Sequence, residues 1–178
     1  MLRGQAHPGD KVAITGYPGM AACGFKILSE GIVLDLATTK VLHNAFLRPH
    51  PQLAEGEILV KHGIRTAIDT SDGLLSDLKH ILCASGMAAH LDIGLLPLNP
   101  ILSVNFPDEA LGWMLSGGED YGLLFTGSEH DILRSTTEMP TRVSIIGEIK
   151  RGTPGDIILT NADGLYVPLP PATGWRHF

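Results

Sequence analysis

Ala67-Ile68-Asp69-Thr70-Ser71-Asp72-Gly73-Leu74-Leu75 is the stretch that decides how this chain is read. An apolar run enters two carboxylates three residues apart, with hydroxyls between them, and Leu74, Leu75, Leu78, Ile81 and Leu82 continue at helical spacing. The pattern predicts a strand running into a helix that begins at Ser71. Such a junction leaves backbone N–H groups unpaired and carries a partial positive charge, which attracts acidic side chains and phosphate oxygens alike. Asp69 and Asp72 are expected to face one side. Two carboxylates held close repel unless a proton or cation lies between them, and a hard divalent ion such as Mg²⁺ suits oxygen ligands from protein and phosphate together. The same residues also read as a capping arrangement, with Ser71 closing the helix and Asp72 complementing its dipole. Both readings stay open at this level.

Working outward, the strand covers 65–68, and a helix over 53–62 closed by Gly63 precedes it. The helix after the motif ends near Ser85-Gly86, and a strand over 87–93 is expected to pair beside the 65–68 strand. Nearer the start, a turn at His7-Pro8-Gly9-Asp10 leads to a strand over 11–15. Gly16-Tyr17-Pro18-Gly19 follows, where one or both glycines take positive φ. A helix over 20–30 then offers Ala21, Ala22, Phe25 and Leu28 to the core. This outline also fits a phosphate-binding loop, but no G-x-G-x-x-G and no Walker lysine accompanies it, so a plain turn is the better reading. An amphipathic stretch over 32–46 is stopped by Arg48-Pro49-His50-Pro51.

Residues 94–100 read as a loop and 107–114 as a short helix with Pro107 in its first turn. Ser116-Gly117-Gly118-Glu119-Asp120-Tyr121 is the second stretch with chemical character: two glycines permit an unusual path, and adjacent acids precede a strand over 123–126. A surface turn would use similar residues. A helix over 128–137, a strand over 143–149 and a hairpin around Ala162-Asp163-Gly164 complete the pattern.

At 178 residues one well-buried domain is expected. A net charge of −6 without a Lys/Arg cluster argues against a nucleic-acid surface. Cys23 and Cys83 are far apart, fit a reduced cytoplasmic protein, and read as small buried apolar residues. Nothing resembles a signal peptide, and no eighteen apolar residues follow one another, so no membrane association is expected. The histidines lack the i, i+4 spacing of a helical zinc site.

Ile68-Asp69-Thr70-Ser71-Asp72-Gly73-Leu74, Ser116-Gly117-Gly118-Glu119-Asp120-Tyr121, Ile146-Gly147-Glu148 and Gly174-Trp175-Arg176-His177-Phe178 occur in an order that resembles the thiamine-monophosphate kinases, within the superfamily of aminoimidazole ribonucleotide synthase. The resemblance runs from about Gly9 to Phe178 and matches the C-terminal half of such enzymes. It implies one C-terminal domain over 1–178, of layered α/β/α fold (α+β) with a mixed sheet and a split β-α-β unit. The N-terminal domain that carries ATP binding and the homodimer contact would be absent. It also implies that Asp69 and Asp72 are magnesium ligands and catalytic, that Ser71 contacts ATP, and that Glu119 and Trp175, with Gly118 and Asp120 beside them, meet thiamine monophosphate. The parent would be an ATP- and Mg²⁺-dependent kinase, and the chain alone inactive. Another ATP-dependent enzyme of the superfamily, or a non-catalytic ligand-binding module, stands as the alternative. Gly122 departs from the family, which often has a second acid there, and Pro18 is unusual in its turn.

Overall fold

The computed structural model describes residues 1–170. Its elements are β1 (Lys11–Thr15), α1 (Met20–Glu30), α2 (Leu36–Leu47), α3 (Leu53–Lys61), β2 (Thr66–Asp69), α4 (Leu74–Ser85), β3 (Ala88–Asp92), a 3₁₀ turn (Ile93–Leu95), α5 (Pro100–Asn105), α6 (Pro107–Ser116), β4 (Leu123–Gly127), α7 (Glu129–Thr136), β5 (Val143–Lys150), β6 (Ile157–Thr160) and β7 (Tyr166–Val167). The strands form one sheet in the order β2-β4-β1-β5-β3-β6-β7. Every pairing is antiparallel except β3 with β6, so the sheet is mixed. β4 and β5 both run antiparallel to β1, which lies between them, and α7 connects them. That is a split β-α-β unit.

Alternation along the strands sends successive side chains to opposite faces. Val12 and Ile14 of β1, Ile68 of β2 and Leu124 of β4 join a large core with Met20, Cys23 and Ile27 of α1, Leu74, Leu75 and Leu78 of α4, and Met114 of α6. Ala13 and Phe125, on the other face, pack with Leu59 of α3 and Ile132 of α7. Helices on both faces give the layered α/β/α arrangement. Among the described residues no helix is long and apolar enough to cross a membrane.

Several expectations need correction. β3 does not lie beside β2: it pairs with β5 and β6, because glycine at 147 lets the His90–Leu91 backbone close onto β5. The 94–100 segment is not all loop; it opens in the 3₁₀ turn and ends in α5, with Asn99 capping Ile101 N–H at 2.9 Å. Both Gly16 and Gly19 do take positive φ. In α1, however, Phe25 and Leu28 face outward and Cys23, Gly24 and Ile27 face inward. The helix packs on α2 through its small residues, and a Cβ at Gly24 would run into the Leu42 carbonyl oxygen. Cys23 is buried as expected, and burial first, then the Glu109 charge, pushes its thiol up to about 11. Cys83 is exposed instead, on the outer side of the last turn of α4. The closing stretch with Trp175 lies outside the described residues.

Candidate active site

The first motif folds as expected up to the point where its helix starts. β2 ends at Asp69 and α4 begins at Leu74, later than Ser71. The residue that enters α4 is Gly73, at φ 104° and ψ 151°, and no side chain caps the helix end. That backbone conformation is available essentially only to glycine. The capping reading of Ser71 therefore fails, since Ser71 lies in a bend two residues before the helix entry and no side chain caps that end. A Cβ at Gly73 would also stand 2.9 Å from the Ser116 carbonyl carbon and oxygen, so the first motif rests directly on the second.

Main-chain bonds tie the two motifs into one surface. Thr70 N–H donates to the Gly122 carbonyl at 2.9 Å, Tyr121 N–H to Thr70 at 3.0 Å, and Glu119 N–H to Ser71 at 3.0 Å. The price of this path is strain: Glu119 at φ 68° and Tyr121 at φ 50° are the non-glycine residues with positive φ among those described. Tyr121 hydroxyl donates to Glu119 Oε2 at 3.0 Å, and this bond heads the causes that raise the phenol above its ordinary pKa. Gly118 is buried. At Gly122 a Cβ would press on the Thr15 carbonyl at 3.1 Å and Thr70 Oγ1 at 3.3 Å, so a larger side chain would have to displace them.

The acidic end differs in detail from the sequence reading. Asp69 is exposed and Asp72 half-buried, and among the described residues neither carboxylate accepts a hydrogen bond. Both charges act on Asp77 and on the Tyr121 phenol, which places them in one electrostatic neighbourhood. Asp72, Asp77 and His80 offer ligand atoms within 4.8 Å of one another, a group that does not include Asp69. Asp77 is buried on the first turn of α4, and its Oδ2 accepts from Asp72 N–H at 3.1 Å. Burial pushes its carboxyl up to about 6; the charges of Asp72 and Asp69 add to this, and the Asp72 and Gly73 N–H groups oppose it. Asp77 and His80 were missed in the sequence. Their signal was an i, i+3 pair on the helix following Asp72, not the i, i+4 histidine pair of a zinc helix. The donor set is mostly carboxylate oxygen, which fits a hard divalent cation.

Asp120 is placed elsewhere. Its Oδ2 accepts from Gly19 N–H at 2.6 Å and its Oδ1 from Ala21 N–H at 2.9 Å, so it closes the N-terminus of α1 from across the fold. Burial drives its carboxyl up to about 7 against the pull of those N–H donors. This carboxylate anchors α1 to the second motif.

Glu119 also lines a cavity of about 310 Å³. Phe25, Phe46 and Trp113 give it aromatic walls, with Lys26 and Glu30 at its edge. The Phe25 and Phe46 rings stand 5.2 Å apart, tilted by 55°. The outward turn of Phe25, unexplained by core packing, has its place here.

The chain is 44% identical over 131 residues to a thiamine-monophosphate kinase of Escherichia coli K12, covering 72% of this chain and 40% of that protein. The chain is related to thiamine-monophosphate kinases. One from Buchnera aphidicola subsp. Schizaphis graminum is 34% identical over 183 residues, covering 100% of this chain and 55% of its own. The chain thus spans about half the length of these kinases. A solved structure of AaThiL complexed with AMPPCP and TMP superposes with a TM-score of 0.81 at 27% identity, over 99% of this chain and 53% of that one. No protein-family model matches the chain.

Proposed function

We propose that this chain is the C-terminal domain of an ATP- and Mg²⁺-dependent kinase that phosphorylates thiamine monophosphate to thiamine diphosphate. A further domain would supply the rest of the nucleotide site and the homodimer contact, in a cytoplasmic protein. The observation that carries this reading is the main-chain pairing of 70–71 with 119–122, which joins the acidic turn to Glu119, a lining residue of the aromatic cavity. Kinship with the kinases and the AMPPCP and TMP complex of AaThiL support it.

Phosphoryl transfer brings several negative charges together and needs positioning and neutralisation more than covalent help. Asp69 and Asp72 would hold Mg²⁺, which when bound supplies that neutralisation. Asp77 orients Asp72 by accepting its N–H. The Ser71 hydroxyl has no partner among the described residues and is free to meet ATP. Glu119, held by Tyr121, attracts the cationic thiazolium, and Phe25, Phe46 and Trp113 offer ring faces to it. Trp175 would add another.

The test is transfer of the labelled γ-phosphoryl group of ATP by the full-length protein. Thiamine monophosphate should be the preferred acceptor, and Glu119→Gln should raise its KM about tenfold, the scale of one charge-assisted contact. Faster transfer to an unrelated acceptor would overturn the substrate assignment.

A further inference from the structure

A second cavity, of about 390 Å³, opens between α4, β3 and the final hairpin and shares no lining residue with the one at Glu119. Lys79 of α4, His90 of β3 and Arg151 from the loop after β5 all line it. Among the described residues none of these three side chains has a carboxylate or hydrogen-bond partner, whereas Lys11, Lys26, Lys61 and Lys150 are all in ion pairs. Only Asp156 stands against them in the lining. In a chain of net charge −6 this is a local reversal of sign.

The loop that carries Arg151 is held in place. Gly155 N–H donates to the Met87 carbonyl at 2.9 Å, Ala89 N–H to Asp156 at 2.9 Å, and Asp156 N–H to Thr153 at 3.0 Å. At Gly155, φ is 90°, and a Cβ would lie 2.8 Å from Cys83 Sγ and 3.6 Å from Lys79 Cε. The loop therefore seats on α4 and flanks the aliphatic stem of Lys79. Large hydrophobic side chains are exposed in the same cavity: Ile158 at 41%, Tyr166 at 66% and Leu169 at 38%. The lining thus combines cationic donors and the Thr153 hydroxyl with a ring and two aliphatic side chains, His90 and Ile158 being cross-strand neighbours.

We propose that this cavity is a second binding site, for an organic phosphate whose anionic group meets Lys79, Arg151 and His90 and whose flat body lies against Tyr166. Fork and point-charge donors suit the phosphate, and an exposed aromatic face suits a planar ring. The site is independent of the proposed kinase reaction. Phenyl phosphate is the probe, with inorganic phosphate as control, in ¹H–¹⁵N spectra of the chain. The expected result is saturable shifts at Lys79, Arg151 and Gly155 that persist in Asp69→Asn/Asp72→Asn. Affinity should fall about tenfold in Lys79→Gln/Arg151→Gln, whose exposed positions tolerate exchange. Tyr166→Ala should weaken phenyl phosphate and leave inorganic phosphate unchanged. Absence of shifts, shifts confined to 69–72 and 116–121, or undiminished affinity in the double variant would overturn the proposal.

Discussion

Glu119 donates its main-chain N–H to the carbonyl of Ser71 at 3.0 Å, so a residue lining the aromatic cavity and a residue between the two aspartates belong to one hydrogen-bonded surface. The Thr70–Gly122 and Thr70–Tyr121 bonds beside it prevent the two motifs from moving separately. A fixed distance between a charged phosphate end and a cationic ring end is what a kinase that works by positioning requires.

Gly73→Ala tests how strongly that surface depends on one backbone conformation. The substitution must adopt φ near 104° and relieve contacts of 2.9 Å with the Ser116 main chain. It should lower the stability of the chain by about 3 kcal/mol, read from the urea midpoint. A loss below about 0.5 kcal/mol would show that the turn relaxes freely.

Tyr121→Phe removes the hydroxyl that donates to Glu119 and leaves the left-handed backbone in place. The fold should be nearly unaffected, and affinity for thiamine monophosphate should drop about fivefold, equivalent to about 1 kcal/mol. Calorimetric titration of the full-length protein reads this directly; unchanged affinity would leave the bond without a role in binding.

The limits of the sequence are instructive in physical terms. Glycines mark both ends of α1 and the end of α4, and those boundaries were legible because a residue without Cβ takes the left-handed cap at the least steric cost. The buried face of α1 was not legible. Periodicity weights large apolar residues such as Phe25 and Leu28, whereas close contact with α2 selects Gly24 and Cys23. Strand order was likewise hidden, because the neighbours of β3 come from far along the chain. At the site, the two motifs stood out by their acids and glycines, but Asp77, His80 and Trp113 read as ordinary helix residues until the fold brought them alongside.

Asp77 gives a pH prediction. Its folded pKa, about 6, lies above the value of 3.8 for an unperturbed carboxyl. The native state therefore holds the proton more tightly, and this group's contribution to stability falls as pH rises from about 4 to about 6 and is level above that. With divalent cations removed by EDTA, the stability advantage of the wild-type chain over Asp77→Asn should shrink across that window. An advantage that grows with pH would mean that the N–H groups of Asp72 and Gly73 outweigh burial.

The most direct test concerns the acidic turn itself. In the full-length protein, Asp69→Asn and Asp72→Asn should each reduce kcat for transfer to thiamine monophosphate about a hundredfold, or roughly 3 kcal/mol, and raise the Mg²⁺ concentration needed for half-maximal rate. Variants that keep the wild-type rate and the wild-type Mg²⁺ dependence would contradict the claim that this turn carries the metal and the phosphates.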